Sequence, residues 1–353
     1  MVALCALLLV GCGSAGGDDI AWHPVREAVS TVVATPAPPT ATDAPAVAQE
    51  FTHQLSAAEL QKYQPDELGL VPVPMYHAFV KDDESKDTGG GGDSLDEWTR
   101  TLSEFRSDLQ WYYDHDFYVV PMRDYVENDM KVPAGKHPMV LTFDDASTRQ
   151  AMWIKNKKGQ IVADPDSALG VMEDFYAKHP DFGRGGYFAV LIFNCFNNPD
   201  GPPEMADCAT KLNWLIDHGY EVGNHTWGHQ DLTDITDDEF LYQVGKPILW
   251  FRQNIEDKGD MSEVLTLPYG AYPDRAETQQ WDYLVNGFDY HGERVDLEGI
   301  LQVNGGPALS PSSDKFDRYG IARFNTDPDV MAYWWKRIED GELTMYTSDG
   351  NPN

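Results

Sequence analysis

The feature that most constrains the fold is an alternation. Between about Leu68 and Phe324, short apolar runs suited to strands take turns with segments whose apolar residues recur at helical spacing. Strand-like runs are read at Leu68–His77, Phe117–Pro121, Met139–Phe143, Tyr187–Phe193, Tyr220–Gly223, Val264–Leu267, Ile300–Val303 and Ile321–Phe324. Between them, Leu95, Trp98, Leu102, Phe105, Leu109 and Tyr112 repeat with helical period behind a capping box at Ser94-Leu95-Asp96-Glu97. Further helices are predicted over Ala168–His179, Lys211–Asp217, Thr236–Ile255, with Gly245 and Pro247 as kink points, and Ala276–Leu284. A hairpin is expected around Lys155–Ile161. Strands alternating with helices over this length make an α/β barrel or a doubly wound sheet, and in either the chemistry sits at the carboxyl ends of the strands.

What stands at those ends is chemically specific. Met139–Phe143 runs into two adjacent carboxylates, Asp144 and Asp145, which extended backbone points to opposite sides. Tyr220–Gly223 runs into Asn224-His225-Thr226-Trp227-Gly228-His229, whose two imidazoles face one way if the segment is a helical turn. Val264–Leu267 runs into Pro268-Tyr269-Gly270. Two histidines and an aspartate form a ligand set that leaves a coordination position for water.

Composition narrows the partners. With 42% hydrophobic and 12% aromatic residues the 353-residue chain can fill a large core, while 58 acidic against 26 basic residues give a formal charge of -32. That balance argues against nucleic acid or an anionic membrane surface as a direct partner.

The first residues read as an address. Val2–Val10 is apolar but too short to span a bilayer, and Leu9-Val10-Gly11-Cys12 resembles a bacterial lipobox, although no Lys or Arg precedes it. Residues 1–12 are thus expected to be a signal peptide ending at a lipidated Cys12, and the protein to be exported and anchored to the membrane through that lipid; simple secretion is the alternative. Residues 13–65, rich in Ala, Pro and Thr, are expected to be an extended tether, and 66–345 the catalytic domain. In an exported protein, Cys195 and Cys208, which bracket a Pro- and Asn-rich loop, are expected to form a disulfide.

Thr142-Phe143-Asp144-Asp145, His225-Thr226-Trp227-Gly228-His229 and Leu267-Pro268-Tyr269-Gly270, in that order, resemble the first three motifs of the polysaccharide deacetylase family, also called NodB-homology or carbohydrate esterase 4. The resemblance covers roughly Val71 to Phe324. It implies a deformed (β/α) barrel of the NodB type, with Asp145, His225 and His229 binding a divalent metal, usually Zn2+, and Asp144 as general base. It also implies that the backbone N–H of Tyr269 helps hold the oxyanion formed when water attacks an acetamide carbonyl.

Two positions depart from the commonest family pattern. No histidine follows His291, so the late histidine that serves as general acid is missing; Pro74-Met75-Tyr76-His77 instead resembles the circularly permuted layout of poly-β-1,6-N-acetylglucosamine deacetylases, which makes His77 the expected acid and His291 its weaker rival. Thr266 stands where many members carry an arginine that orients the base, and Arg323 is a candidate replacement. Trp227 and Tyr272 are candidate sugar-stacking rings. The expected activity is removal of N-acetyl groups from an N-acetylglucosamine polymer of the wall or matrix, with no protein partner implied. The alternatives are O-deacetylation of xylan-like polymers and a catalytically silent carbohydrate-binding relative.

Overall fold

The computed structural model describes residues 54–86, 95–255, 263–275 and 278–351. These all fall in one unit, Gln49–Asn353. Cys5, Cys12, the lipobox and the tether up to residue 53 lie outside the described residues.

Seven strands close a barrel: β1 (Pro74–Tyr76), β2 (Thr142–Phe143), β3 (Tyr187–Val190), β4 (Glu221–Asn224), β5 (Val264–Thr266), β6 (Gly299–Gly305) and β7 (Ile321–Asn325). Each strand pairs with its neighbours in the chain, and β1 closes the ring against both β2 and β7. Every pairing is parallel; Met75 meets Thr142 on one side and Asn325 on the other, and Glu221 to Asn224 run beside Tyr187 to Val190. All seven carboxyl ends therefore open on the same rim.

Among the described residues the eight helices are α1 (Ala57–Tyr63), α2 (Leu102–Asp114), α3 (Met122–Glu127), α4 (Ala168–Lys178), α5 (Cys208–Asp217), α6 (Asp237–Asn254), α7 (Gln279–Asn286) and α8 (Pro328–Glu339). The β6–β7 connection carries only a 3₁₀ turn, Arg318–Gly320, which is where the barrel departs from a regular repeat. Among the described residues no helix is long and apolar enough to cross a membrane.

Alternate strand residues enter two separate cores, as a period of two requires. Leu141, Phe143, Phe188, Val190, Val222, Leu265 and Ile300 pack with helix residues such as Phe105, Leu109, Leu212 and Ile248. Val140, Tyr187, Ala189, Val264, Leu301 and Ile321 fill the barrel, whose floor is closed by Met122, Tyr125 and Tyr346. Gly223 has no Cβ because the Tyr187 phenol lies where one would be, its hydroxyl donating to the Val264 carbonyl at 2.5 Å. Along β2 the inward series continues from Val140 through Thr142 to Asp144, so pleating alone delivers Asp144 to the inner rim.

Two local expectations need correction. The helix read from Ser94 begins at Leu102: Thr101 is its N-cap and Glu104 completes the capping box, while Thr99–Thr101 is a strand paired with Ala78–Val80. Both Ser94 and Thr101 carry the signature, and pairing of the β-branched Thr99 and Thr101 decides between them. The stretch read as tether is not extended to its end, because Ser56 and Glu59 form a capping box that starts α1, although α1 buries no residue. The helix expected over Thr236–Ile255 is α6, one helix of 18 residues with Pro247 inside it. The hairpin and the remaining strands and helices lie close to where the periodicity places them.

Candidate active site

The two carboxylates on β2 separate as soon as the strand ends. Asp144 is buried and gripped by Arg323, whose two terminal nitrogens donate to Oδ1 and Oδ2 at 2.8 Å each. Arg323 is itself fully buried on β7; it donates through Nε to the Gln302 carbonyl at 2.6 Å and through Nη1 to Thr142 Oγ1 at 3.2 Å. A bulge helps admit it, since Leu301 and Gly305 of β6 oppose Ile321 and Arg323 of β7, four residues against two. Burial pushes the Asp144 carboxyl up, but the guanidinium outweighs burial and holds it well below the usual carboxylate range. Arg323 thus stands where sequence left a gap at Thr266, whose own contribution is its carbonyl.

Asp145 leaves the strand path. Its φ of 77° and that of Ala146, 50°, are left-handed, a conformation uncommon for residues other than glycine. The turn brings Asp145 Oδ1 to 3.2 Å from His225 Nε2 and 3.4 Å from His229 Nε2. Ligand atoms of these three residues all lie within 4.8 Å of one another.

The two histidines converge by a different route from the helical turn expected. Residues 225–229 form an irregular turn in which Thr226 (φ 66°) and His229 (φ 53°) are left-handed. Helix α6 holds this turn. Pro247 has no N–H to give the carbonyl of Gln243, four residues earlier, and that carbonyl takes the Trp227 N–H at 2.9 Å instead. Gln243 Oε1 accepts from Gly228 N at 2.7 Å, and Asn224 Nδ2 donates to the Val244 carbonyl at 2.8 Å. The proline read as a kink point frees an acceptor for the histidine turn.

Ring tautomers follow from the far nitrogens. His225 Nδ1 donates to the Thr266 carbonyl at 2.9 Å, which directs the lone pair of Nε2 toward Asp145. His229 Nδ1 lies 3.1 Å from the Tyr269 hydroxyl. Tyr269, at φ 58° in its 3₁₀ turn, was expected to act through its backbone, and the structure adds this side-chain contact. Burial pushes the His229 imidazole down; it also opposes protonation of His225, but there the Asp145 and Asp144 carboxylates outweigh it.

His77, at the end of β1, belongs to the same cluster. Its Nε2 is 3.9 Å from Asp144 Oδ2, its ring packs edge-on against Trp98 at 4.7 Å, and burial pushes its imidazole down against the pull of Asp144 and Asp145. Gln150 ties the two strand ends, donating to the His77 carbonyl at 2.6 Å and to the Asp144 carbonyl. His291 is elsewhere, exposed in the turn of the hairpin Phe288–Tyr290 with Glu293–Val295.

The stacking candidates have other partners. Lys246 Nζ lies 3.9 Å above the Trp227 ring, and Arg275 lies 4.5 Å above Tyr272, whose hydroxyl donates to the Tyr319 carbonyl. The exposed aromatic residues at this rim are Tyr269, 68% exposed, and Phe193, 63%, in the loop after β3. Cys195 and Cys208 are joined by a disulfide that closes that loop. Trp98, Gln150 and Phe193 were missed because they lie outside any motif and gain meaning only through neighbours distant in the chain.

Asp145 Oδ1 and His225 Nε2 are buried without a hydrogen-bond partner. Two orphaned acceptors aimed at one point, with a second imidazole beside them, fit a divalent cation of the zinc kind.

Sequence and structure comparisons bear on the family and the fold. Residues 200–285, which include both histidines and the Pro268–Gly270 turn, match the profile of the polysaccharide deacetylase family. The fold is that of BC0361, a polysaccharide deacetylase from Bacillus cereus (16% identity over 77% of this chain and 69% of that one, TM-score 0.51). It is also that of the Streptococcus pyogenes deacetylase PplD, solved in complex with acetate (14% identity over 76% of this chain and 98% of that one, TM-score 0.51). No curated protein matches the chain in sequence. The fold is thus a NodB-type barrel, and residues 200–285 of it match the polysaccharide deacetylase profile.

Proposed function

We propose that this protein is a metal-dependent deacetylase that removes N-acetyl groups from an N-acetylglucosamine polymer, and that it works outside the cytoplasm, anchored through Cys12. The observation that carries the reading is the pair of orphaned ligand atoms, Asp145 Oδ1 and His225 Nε2, beside a separately held carboxylate, Asp144. Asp145, His225 and His229 would hold the cation, with zinc favoured by the nitrogen-rich donor set. When bound, such a cation polarises the acyl oxygen and makes water acidic enough to react at neutral pH.

The chain supplies the rest. Asp144, kept ionised by Arg323, accepts the proton of the attacking water. His77 delivers a proton to the departing sugar amine, from the side of Asp144 on which its Nε2 lies. The backbone N–H of Tyr269 faces the developing oxyanion. The exposed rings of Tyr269 and Phe193 offer apolar faces on which pyranose rings can stack. Acetate in the S. pyogenes relative is the product that such chemistry releases, and the disulfide suits an oxidising compartment.

The test is acetate release by the purified chain from N-acetylglucosamine oligomers, lost on chelation and restored by zinc. Asp144→Asn should lower kcat by about 10²–10⁴. Release from acetylated xylan alone would make the protein an esterase. Sugar binding that ignores chelators, with no acetate from any substrate, would make it a binding protein.

A further inference from the structure

We infer that Asn194 is a positioning residue for Asp145, and that the Cys195–Cys208 disulfide is what keeps the loop carrying Asn194 in place. The inference rests on Asp145 as a metal ligand and adds how that ligand is aimed.

The problem it answers is geometric. By the pleat of β2, Asp144 points inward and Asp145 should point away from the barrel mouth. Asp145 reaches the histidines only because it and Ala146 are both left-handed, at φ 77° and 50°. Two consecutive residues with a Cβ in that region persist only when their surroundings over-determine them. Here the surroundings are one loop. Asn194 Nδ2 donates to the Asp145 carbonyl at 3.1 Å, the Phe196 N–H donates to the Ala146 carbonyl at 2.7 Å, and Thr148 Oγ1 donates to the Asn197 carbonyl at 2.6 Å. Each of the two left-handed residues is thus held by its own carbonyl.

The loop is also constrained from behind. The Asn194 and Cys195 N–H groups both donate to the Leu191 carbonyl, at 2.9 and 3.0 Å, and Cys195 and Phe196 are left-handed too, at φ 36° and 51°. Helix α5 anchors this turn twice from one face. Cys208, its first residue, forms the disulfide to Cys195, and Lys211, three residues on, donates from its buried ammonium to the Cys195 and Phe196 carbonyls at 2.9 and 3.1 Å. The chain of support runs from α5 through the disulfide to Asn194, and from there to the backbone of Asp145.

A merely structural disulfide would lower thermal stability and leave the metal affinity of folded molecules unchanged. The experiment therefore titrates Zn²⁺ calorimetrically into the metal-free full chain as wild type, as Asn194→Ala and as the double variant Cys195→Ser, Cys208→Ser. Melting of each metal-free chain is recorded alongside. Both variants should bind zinc about 10–100-fold more weakly, the range for lost support around metal ligands, and Asn194→Ala should melt with the wild type. Wild-type affinity in Asn194→Ala overturns the role of Asn194. Wild-type affinity in the double variant, with earlier melting, overturns the role of the disulfide. A wild-type chain that takes up no zinc, cobalt or manganese overturns the metal reading itself, and this inference with it.

Discussion

Asp144 and Asp145 adjoin in sequence but differ in what holds their oxygens. One is enclosed with a guanidinium across both oxygens; the other leaves an oxygen unpartnered toward two imidazoles. His77 is the third member, 3.9 Å from Asp144, with a buried Nδ1 that has no hydrogen-bond partner. If it is the proton donor, its importance depends on the leaving group, since a sugar amine must be protonated to depart and a nitrophenolate need not be. His77→Ala should therefore lose about 10²-fold or more in kcat on N-acetylglucosamine oligomers, while 4-nitrophenyl acetate hydrolysis changes little. An equal loss on both substrates would sink the acid role. Of these residues, sequence located the carboxylates and histidines by motif, but Arg323 only as a candidate. Its bond to Asp144 spans 179 residues and crosses the end of β1, a relation that no local spacing encodes.

At the scale of elements, sequence located segments well but not the contacts their breakers make. Pro247 was read as a kink point, and the structure adds that it leaves a carbonyl to the histidine turn; the spacing of His225 and His229 faces both imidazoles one way on a helical turn, yet left-handed residues bring them together. Such conformations are chosen by tertiary hydrogen bonds that periodicity does not contain. Another element-level contact makes stability pH-dependent. Glu221, at the start of β4, accepts the N–H groups of Met122 and Arg123 at the N-terminus of α3, where Pro121 provides no side-chain cap. Burial nonetheless pushes its carboxyl up from 4.5 to about 7. The folded chain then binds a proton that the unfolded chain has released. The stabilisation is fully present below the unfolded value and is lost as pH rises through about 7. It amounts to roughly 3 kcal/mol at most. Between pH 5 and 8, the wild type should melt progressively earlier relative to Glu221→Gln, whose neutral amide keeps an acceptor but cannot ionise. Asp108, pushed by burial up to about 6, contributes in the same sense to both chains and cancels in the difference. Parallel melting curves would refute the assignment.

For the whole molecule, alternation left an α/β barrel and a doubly wound sheet open and the motif resemblance singled out the barrel, in which strand order in the sheet is strand order in the chain. The net charge of -32 was legible as well, but only as an exclusion. Combined with the proposed reaction it says more. A fully acetylated N-acetylglucosamine chain is neutral, and each acetyl removed leaves an amine that takes a proton near neutral pH, so the product becomes a polycation beside an acidic protein. Attraction of that kind extends about 10 Å at 0.1 M salt and about 3 Å at 1 M. At low ionic strength, partly deacetylated chains should therefore bind more tightly than fully acetylated chains of the same length, and release of extensively deacetylated product should slow turnover late in the reaction. Raising salt to about 1 M should bring the two KM values together while leaving that of the neutral chain nearly unchanged. If the ratio of KM values does not move with salt, the acidic surface serves solubility alone. If it collapses as expected, the charge retains a chain that the enzyme has already begun to modify, and modified residues should then cluster along each polymer at low salt and scatter at high salt.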